Sequence, residues 1–239
     1  MRTSGIFILL LCSIALYLPA HADPIDPFDS VDILGPATAT LATYQGRDCN
    51  GTLIYNHDDS FENGYIWAYG GYQPPYYGAF GEGFDMGSGQ IECVVLWLTQ
   101  TGGFYGQPID VYIWDGGVSR EPGNVLTVGY EVVIEAPAMW PEISQHNLPL
   151  PFFVHDEFTI GFWGPWMYEA AQIYIAVDSN GPNGNPWTNI APEYGPPNGW
   201  QDPSLVFGPT ASLGMGLFLI DMPTPVKPDT WGALKSLVR

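Results

Sequence analysis

The chain has 239 residues and sets 25 acidic side chains against six lysines and arginines, a formal net charge of −19 at pH 7. A field of that sign repels phosphate backbones and anionic lipid headgroups, which excludes nucleic-acid or membrane-surface binding through a basic footprint. The 29 glycines and 23 prolines approach low-complexity levels, but 46% hydrophobic and 15% aromatic residues, gathered into discrete runs, exclude a disordered polymer and suffice for one core-forming domain.

Residues 1–22 read as a secretory signal peptide. Arg2 precedes the apolar run Ile6–Leu18, and Ala20-His21-Ala22 closes it with a small-x-small exit before Asp23. The run falls short of the ~20 apolar residues that a membrane anchor needs. Leu9-Leu10-Leu11 also lacks the small residue expected ahead of a lipidated Cys12. Cleavage after Ala22 and export to the periplasm, cell surface or medium are the expectation. The mature chain would keep Arg47, Arg120, Lys227, Lys235 and Arg239 as its bases.

From there the pattern is one of short strands. β-branched and aromatic runs bounded by Gly, Pro, Asn or Asp occur at 39–44, 52–55, 65–69, 91–98, 110–115, 125–135, 157–163, 172–178 and 213–221. Val94-Val95-Leu96-Trp97-Leu98 is apolar on both parities, which predicts a strand covered on two sides. Before residue 229 no helical periodicity persists. About nine strands without an internal repeat predict an all-β, antiparallel sandwich of jelly-roll type over residues 23–222. Three long segments, 70–89, 136–151 and 180–203, read as aromatic-rich loops. Pro223, Pro225 and Pro228 predict a stiff linker. Beyond it, Asp229 or Thr230 could cap a short amphipathic helix, Trp231–Val238, expected to dock onto its own acidic domain, with recognition by export machinery as the alternative.

Chemistry has few footholds. Cys49 and Cys93 either form a disulfide in an oxidising compartment or stay as two buried thiols, and no CxxC or zinc spacing occurs. Gly87-Ser88-Gly89 is not a nucleophile elbow, and His57, His146 and His155 form no metal-protease pattern. Asp110, Asp115, Glu131 and Glu135 could supply the carboxylate pair of a glycoside hydrolase, but no run of alternating acids places two on one strand face. Two oxygen-rich clusters could hold a structural Ca²⁺: Asp58, Asp59 and Glu62 in the first, Asp178, Asn180 and Asn183 in the second. Ordinary turn formation explains the same residues. Tyr72, Tyr76, Tyr77, Trp140, Trp187 and Trp200 have Asp, Asn and Gln neighbours, the company in which aromatic rings bind sugars. The same rings could instead cap the open ends of a sandwich.

Several segments form a recognisable set: Asp58-Asp59-Ser60-Phe61-Glu62-Asn63-Gly64-Tyr65, Asp110–Asp115 followed by Pro122-Gly123-Asn124-Val125-Leu126, Phe158–Trp163, Trp187–Pro192, and the ending Thr230-Trp231-Gly232-Ala233-Leu234-Lys235. Over most of residues 50–239 the chain resembles a family of exported jelly-roll-like proteins from candidate bacterial lineages, a family with no established activity. The resemblance implies a secreted sandwich domain and transfers no catalytic residue. The expected function is therefore that of an exported, non-catalytic binding module for a glycan or cell-surface polymer. A structural or surface-associated protein without a small ligand is the second reading, and a glycoside hydrolase the third.

Overall fold

The computed structural model describes residues 31–35, 39–67, 76–104, 106–164, 173–192 and 197–220. The expected signal peptide, Tyr72, and the linker and helix expected at 223–239 lie outside the described residues. In chain order the strands are β1 (Val31–Ile33), β2 (Thr40–Gly46), β3 (Thr52–Tyr55), β4 (Asn63–Trp67), β5 (Phe80–Asp85), β6 (Gly89–Gln100), β7 (Ile109–Asp115), β8 (Val125–Val132), β9 (Ala138–Met139), β10 (Glu142–Val154), β11 (Glu157–Trp163), β12 (Ile173–Asp178), β13 (Pro186–Ile190), β14 (Gly199–Gln201), β15 (Ser212–Leu213) and β16 (Met215–Ile220).

They form two sheets packed as a sandwich. Sheet one runs β1-β4-β12-β6-β10-β2, with β16 also paired to β6 and β3; sheet two runs β14-β13-β5-β11-β7-β8. Pairing is antiparallel except for β10 with β2 and β6 with β9, which are parallel. The core between the sheets takes Val94, Leu96 and Leu98 from β6, Val111 and Ile113 from β7, and Phe158, Ile160 and Phe162 from β11. The both-parity apolar run on β6 has its predicted cause. Val95 and Trp97 on the opposite face are also buried, in a second cluster with Phe61, Ile143 and Ala176.

Sixteen strands among the described residues replace the nine expected, because the three presumed loops contain β5, β9, β10, β13 and β14, β1 precedes the first expected strand, and the last expected strand is divided. In 70–89, Gly81 and Gly83 read as turn residues but belong to β5, where side chains do not fit. A Cβ on Gly83 would sit 2.1 Å from the Gly117 carbonyl oxygen, and one on Gly161 of β11, which faces Gly81, would sit 2.1 Å from that of Phe80. In 136–151, prolines suggested a loop, yet β10 lies between β6 and β2. Its register breaks between Pro149 and Phe152, so an irregularity absorbs the missing proline donors. In 180–203, β13 and β14 pair as an antiparallel unit at the edge of sheet two. The single strand expected at 213–221 divides at Gly214, where a Cβ would crowd Trp97 and Ala176 at 2.9 and 3.0 Å.

Glu82 of β5 is fully buried and ties the sheets together. Its carboxylate accepts hydrogen bonds from the Leu213 backbone N–H in sheet one (2.9 Å), the Asn185 N–H (2.7 Å) and Asn56 Nδ2 (2.8 Å). Burial outweighs these three donors and pushes its pKa up from 4.5 to about 7, with nearby Asp178 adding to the rise. Burial has the opposite effect on two histidines. His57, enclosed by Tyr55, Phe61 and Trp97, and His146, hydrogen-bonded to Ser144 Oγ at 2.8 Å, are both depressed from 6.5 to about 4.

These groups pull stability in opposite directions. A carboxyl that binds its proton more tightly folded than unfolded stabilises fully below pH 4.5, and that contribution disappears as pH rises through about 7. The two histidines stabilise fully above pH 6.5, and theirs disappears as pH falls towards 4. Each group is worth on the order of 3 kcal/mol. Two against one, the fold weakens towards acid. Urea denaturation across pH 4.5–8 should show the stability gap between wild type and Glu82→Gln narrowing by roughly 3 kcal/mol as pH rises; a constant gap would mean Glu82 is ionised throughout.

Of the two cysteine readings, the structure has the disulfide, Cys49–Cys93, closing a separation of 44 residues. Loop closure of that length should contribute about 2–4 kcal/mol. Reduction, or the Cys49→Ser/Cys93→Ser double variant, should lower the unfolding free energy by that amount, read by chemical denaturation with and without reductant.

Candidate functional site

The outer face of sheet two carries the most unusual arrangement. Strand alternation turns Val111 and Ile113 of β7 inward, so Tyr112 and Trp114 point outward, where water would normally meet them. They are nonetheless 1% and 0% exposed. The neighbouring strands give them room: along the register, Tyr112 faces Gly161, which faces Gly81, and Trp114 faces Thr159, which faces Gly83. Two central strands thus present bare backbone, and rings and loops settle onto it. The Trp200 ring of β14 lies 3.9 Å from where a Cβ on Gly81 would be.

Tyr112 and Trp114 stack at 5.0 Å and 18°. Tyr76 and Trp200 stand steeply against Trp114, at 70° and 72°, with centroids 6.1 and 5.2 Å away. They rise from a buried base as two walls. Tyr76 adopts φ +71°, a left-handed conformation that is costly for a bulky residue. The local bonding holds it there. Tyr76 O accepts the Ala79 N–H (3.0 Å), and Gly78 and Ala79 exchange backbone hydrogen bonds with Asn189 of β13 (2.7 and 3.0 Å).

The third wall is the loop between β7 and β8. Thr159 Oγ1 donates to Gly116 O and Trp187 Nε1 to Gly117 O, each at 2.8 Å, pinning the loop to the sheet. Asp115 holds its far side, accepting from Asn124 N (2.6 Å) and Asn124 Nδ2 (3.3 Å) and pairing with Arg120 (3.4 Å). Desolvation would raise the Asp115 pKa, but the Asn124 and Arg120 contacts outweigh it and hold the carboxyl below its ordinary value. Arg120 also reaches Glu157 (3.5 Å), whose pKa is lowered by the Ser119 backbone and hydroxyl hydrogen bonds and, less strongly, by Arg120.

Between these walls lies a cleft of about 590 Å³, lined by Tyr76, Tyr77, Trp200, Glu121, Gly123, Asn124, Val125, Asn189 and Gly199. No protein-family model matches the chain, and comparisons with curated proteins and with solved structures return no match.

Three of the six aromatics named from sequence, Tyr76, Tyr77 and Trp200, therefore meet in one cleft. Trp187 shares the sheet face but holds the β7–β8 loop rather than lining the opening. Trp140 packs on the outer cluster of sheet one, with Ile143 and Trp97. Glu121, Asn124 and Asn189 were not named from the sequence as candidate site residues. Of the four acids considered for hydrolysis, Asp115 anchors the cleft wall, and Asp110 accepts from Glu131 N (2.8 Å) and Tyr112 OH (3.3 Å).

The two oxygen-rich clusters do meet in space. Asp178 Oδ2 accepts the Asp58 N–H (3.0 Å) and Glu62 Oε2 accepts the Ser179 N–H (2.9 Å). The remaining oxygens are mostly engaged in turns: Asp178 Oδ1 with Asn180 and Gly181 N–H, Asp58 Oδ1 with Ser60, and Asp59 Oδ2 with the Tyr55 hydroxyl. Among the described residues, no group of three or more His, Cys, Asp or Glu could hold a metal ion. Asn183 is exposed.

Trp114 supports both Tyr76 and Trp200, so Trp114→Ala should remove about 3–5 kcal/mol of stability. Urea denaturation followed by far-ultraviolet circular dichroism measures it, and wild-type stability would refute the buried position.

Proposed function

We propose that this protein is an exported, non-catalytic glycan-binding module whose ligand occupies the cleft between Tyr76, Tyr77, Trp200 and the β7–β8 loop. The observation that carries this reading is the meeting, in one open cavity, of three half-buried aromatic rings with the polar side chains of Glu121, Asn124 and Asn189. Sugar C–H faces stack on such rings while amides and carboxylates take the hydroxyls. The strained φ of Tyr76 supports a functional reason for holding that ring in place. Walls set steeply to the base favour a short oligosaccharide or a chain end over a flat polymer surface. The cleft presents one carboxylate, Glu121, among the described residues, whereas glycoside hydrolysis uses two about 5–10 Å apart. Export draws support from the leader-like residues 1–22 and from the Cys49–Cys93 disulfide.

The test is retention of residues 23–239 on an array of soluble oligosaccharides and insoluble polysaccharides, with Ca²⁺ and with chelator. Wild type should be retained on at least one saccharide, Trp200→Ala should lose at least tenfold in affinity, and Trp140→Ala, on the other sheet, should bind as wild type. A blank array in both conditions would overturn the proposal in favour of a structural, surface-associated role. A hit abolished equally by Trp140→Ala would remove the site from this cleft.

A further inference from the structure

The polar groups of the cleft share one character. Glu121 is exposed, and its carboxylate makes no hydrogen bond or ion pair within the described residues. Asn124 gives its backbone N–H and one hydrogen of its side-chain NH₂ to Asp115, leaving the amide oxygen and the second NH₂ hydrogen to a ligand. Both residues offer an acceptor. The cations among the described residues are already paired with carboxylates. The described residues contain two arginines, of which Arg120 is bound between Asp115 and Glu157 and Arg47 pairs with Glu92. The surrounding field is strongly negative, with a formal charge of −19 over the whole chain.

Building on the glycan reading, we infer that the cleft selects saccharides presenting hydrogen-bond donors and no anionic group, with an amino sugar preferred over its neutral counterpart. The ring stacks against Tyr76 and Trp200, the Asn124 amide oxygen takes a hydroxyl proton, and the Glu121 carboxylate pairs with a protonated amine. A uronate, sulfate or phosphate would bring its charge against Glu121 with no unpaired cation among the described residues to offset it, a like-charge contact that works against binding.

Isothermal titration of the full mature chain, residues 23–239, tests this with glucosamine, glucose and galacturonate oligomers of equal length, and with oligolysine as a cation lacking sugar rings. The glucosamine oligomer should bind about two- to fivefold tighter than the glucose oligomer, the size of an exposed ion pair, and the advantage should shrink in high salt. Galacturonate and oligolysine should not bind measurably. Glu121→Gln should bring the glucosamine oligomer down to the level of the glucose oligomer, and Glu121→Lys should admit galacturonate. Galacturonate bound as well as the glucose oligomer, and lost in Trp200→Ala, would refute the selectivity while leaving the glycan site standing. Oligolysine matching the glucosamine oligomer would reduce the preference to general charge and overturn it. Failure of every saccharide would bring down the glycan reading, and this inference with it.

Discussion

One carboxylate between the sheets governs the placement of everything around the cleft. Glu82 collects donors from β15 in sheet one, from Asn56 between β3 and β4, and from Asn185 at the entrance to β13. Without it, buried N–H groups would be orphaned, at about 1–3 kcal/mol each. The surroundings are shaped to it: a Cβ on Gly184 would sit 2.2 Å from Glu82 Oε1. β5 and β13 are thereby fixed against each other and against sheet one, and these two strands lead into Tyr76–Tyr77 and Asn189. Holding a carboxyl in that position raises its pKa, so the same group that fastens the sandwich gives it a titration near neutrality.

With β5 anchored, the cleft follows from packing. Gly81, Gly83 and Gly161 strip side chains from the middle of an outer sheet face, and stripped backbone has to be covered. Tyr112 and Trp114 from one side, Trp187 and Trp200 from the other, and the Gly116–Gly117 turn from above supply the cover. Rings that span different strands meet at angles rather than in one plane, and the gap left between them is the cavity. Sheet one solves the equivalent problem with Trp97, Phe61 and Tyr55 packed around a buried neutral histidine. The aromatic residues of the chain are thus shared between the central core and two small cores on the outside of the sandwich.

Much of this was legible along the chain. Strands with alternating or doubly apolar patterns, such as β6, β7 and β11, fall where the sequence places them, since burial on one or two faces writes itself into residue order with period two. β5, β10, β13 and β14 were hidden, because the glycines and prolines that suit them to close backbone approach and register breaks are also the residues of turns. The site shows the same division. Tyr76, Tyr77 and Trp200 stood out as aromatics, whereas Glu121 and Asn124 gave no local sign, and Trp187 looked like a binding residue while serving to fasten a loop.

Taken alone, the sequence determined an all-β sandwich, a strongly acidic surface, and a supply of aromatics larger than one core requires. Composition and short-range periodicity are properties of the unfolded chain and survive into any fold. Tertiary structure alone decided which rings are walls, which are base and which are clamps, and whether Cys49 and Cys93 pair. Those outcomes depend on contacts such as Gly83 with Gly117, Trp114 with Trp200 and Glu82 with Leu213, which join residues distant in sequence and exist only once the two sheets have closed on each other.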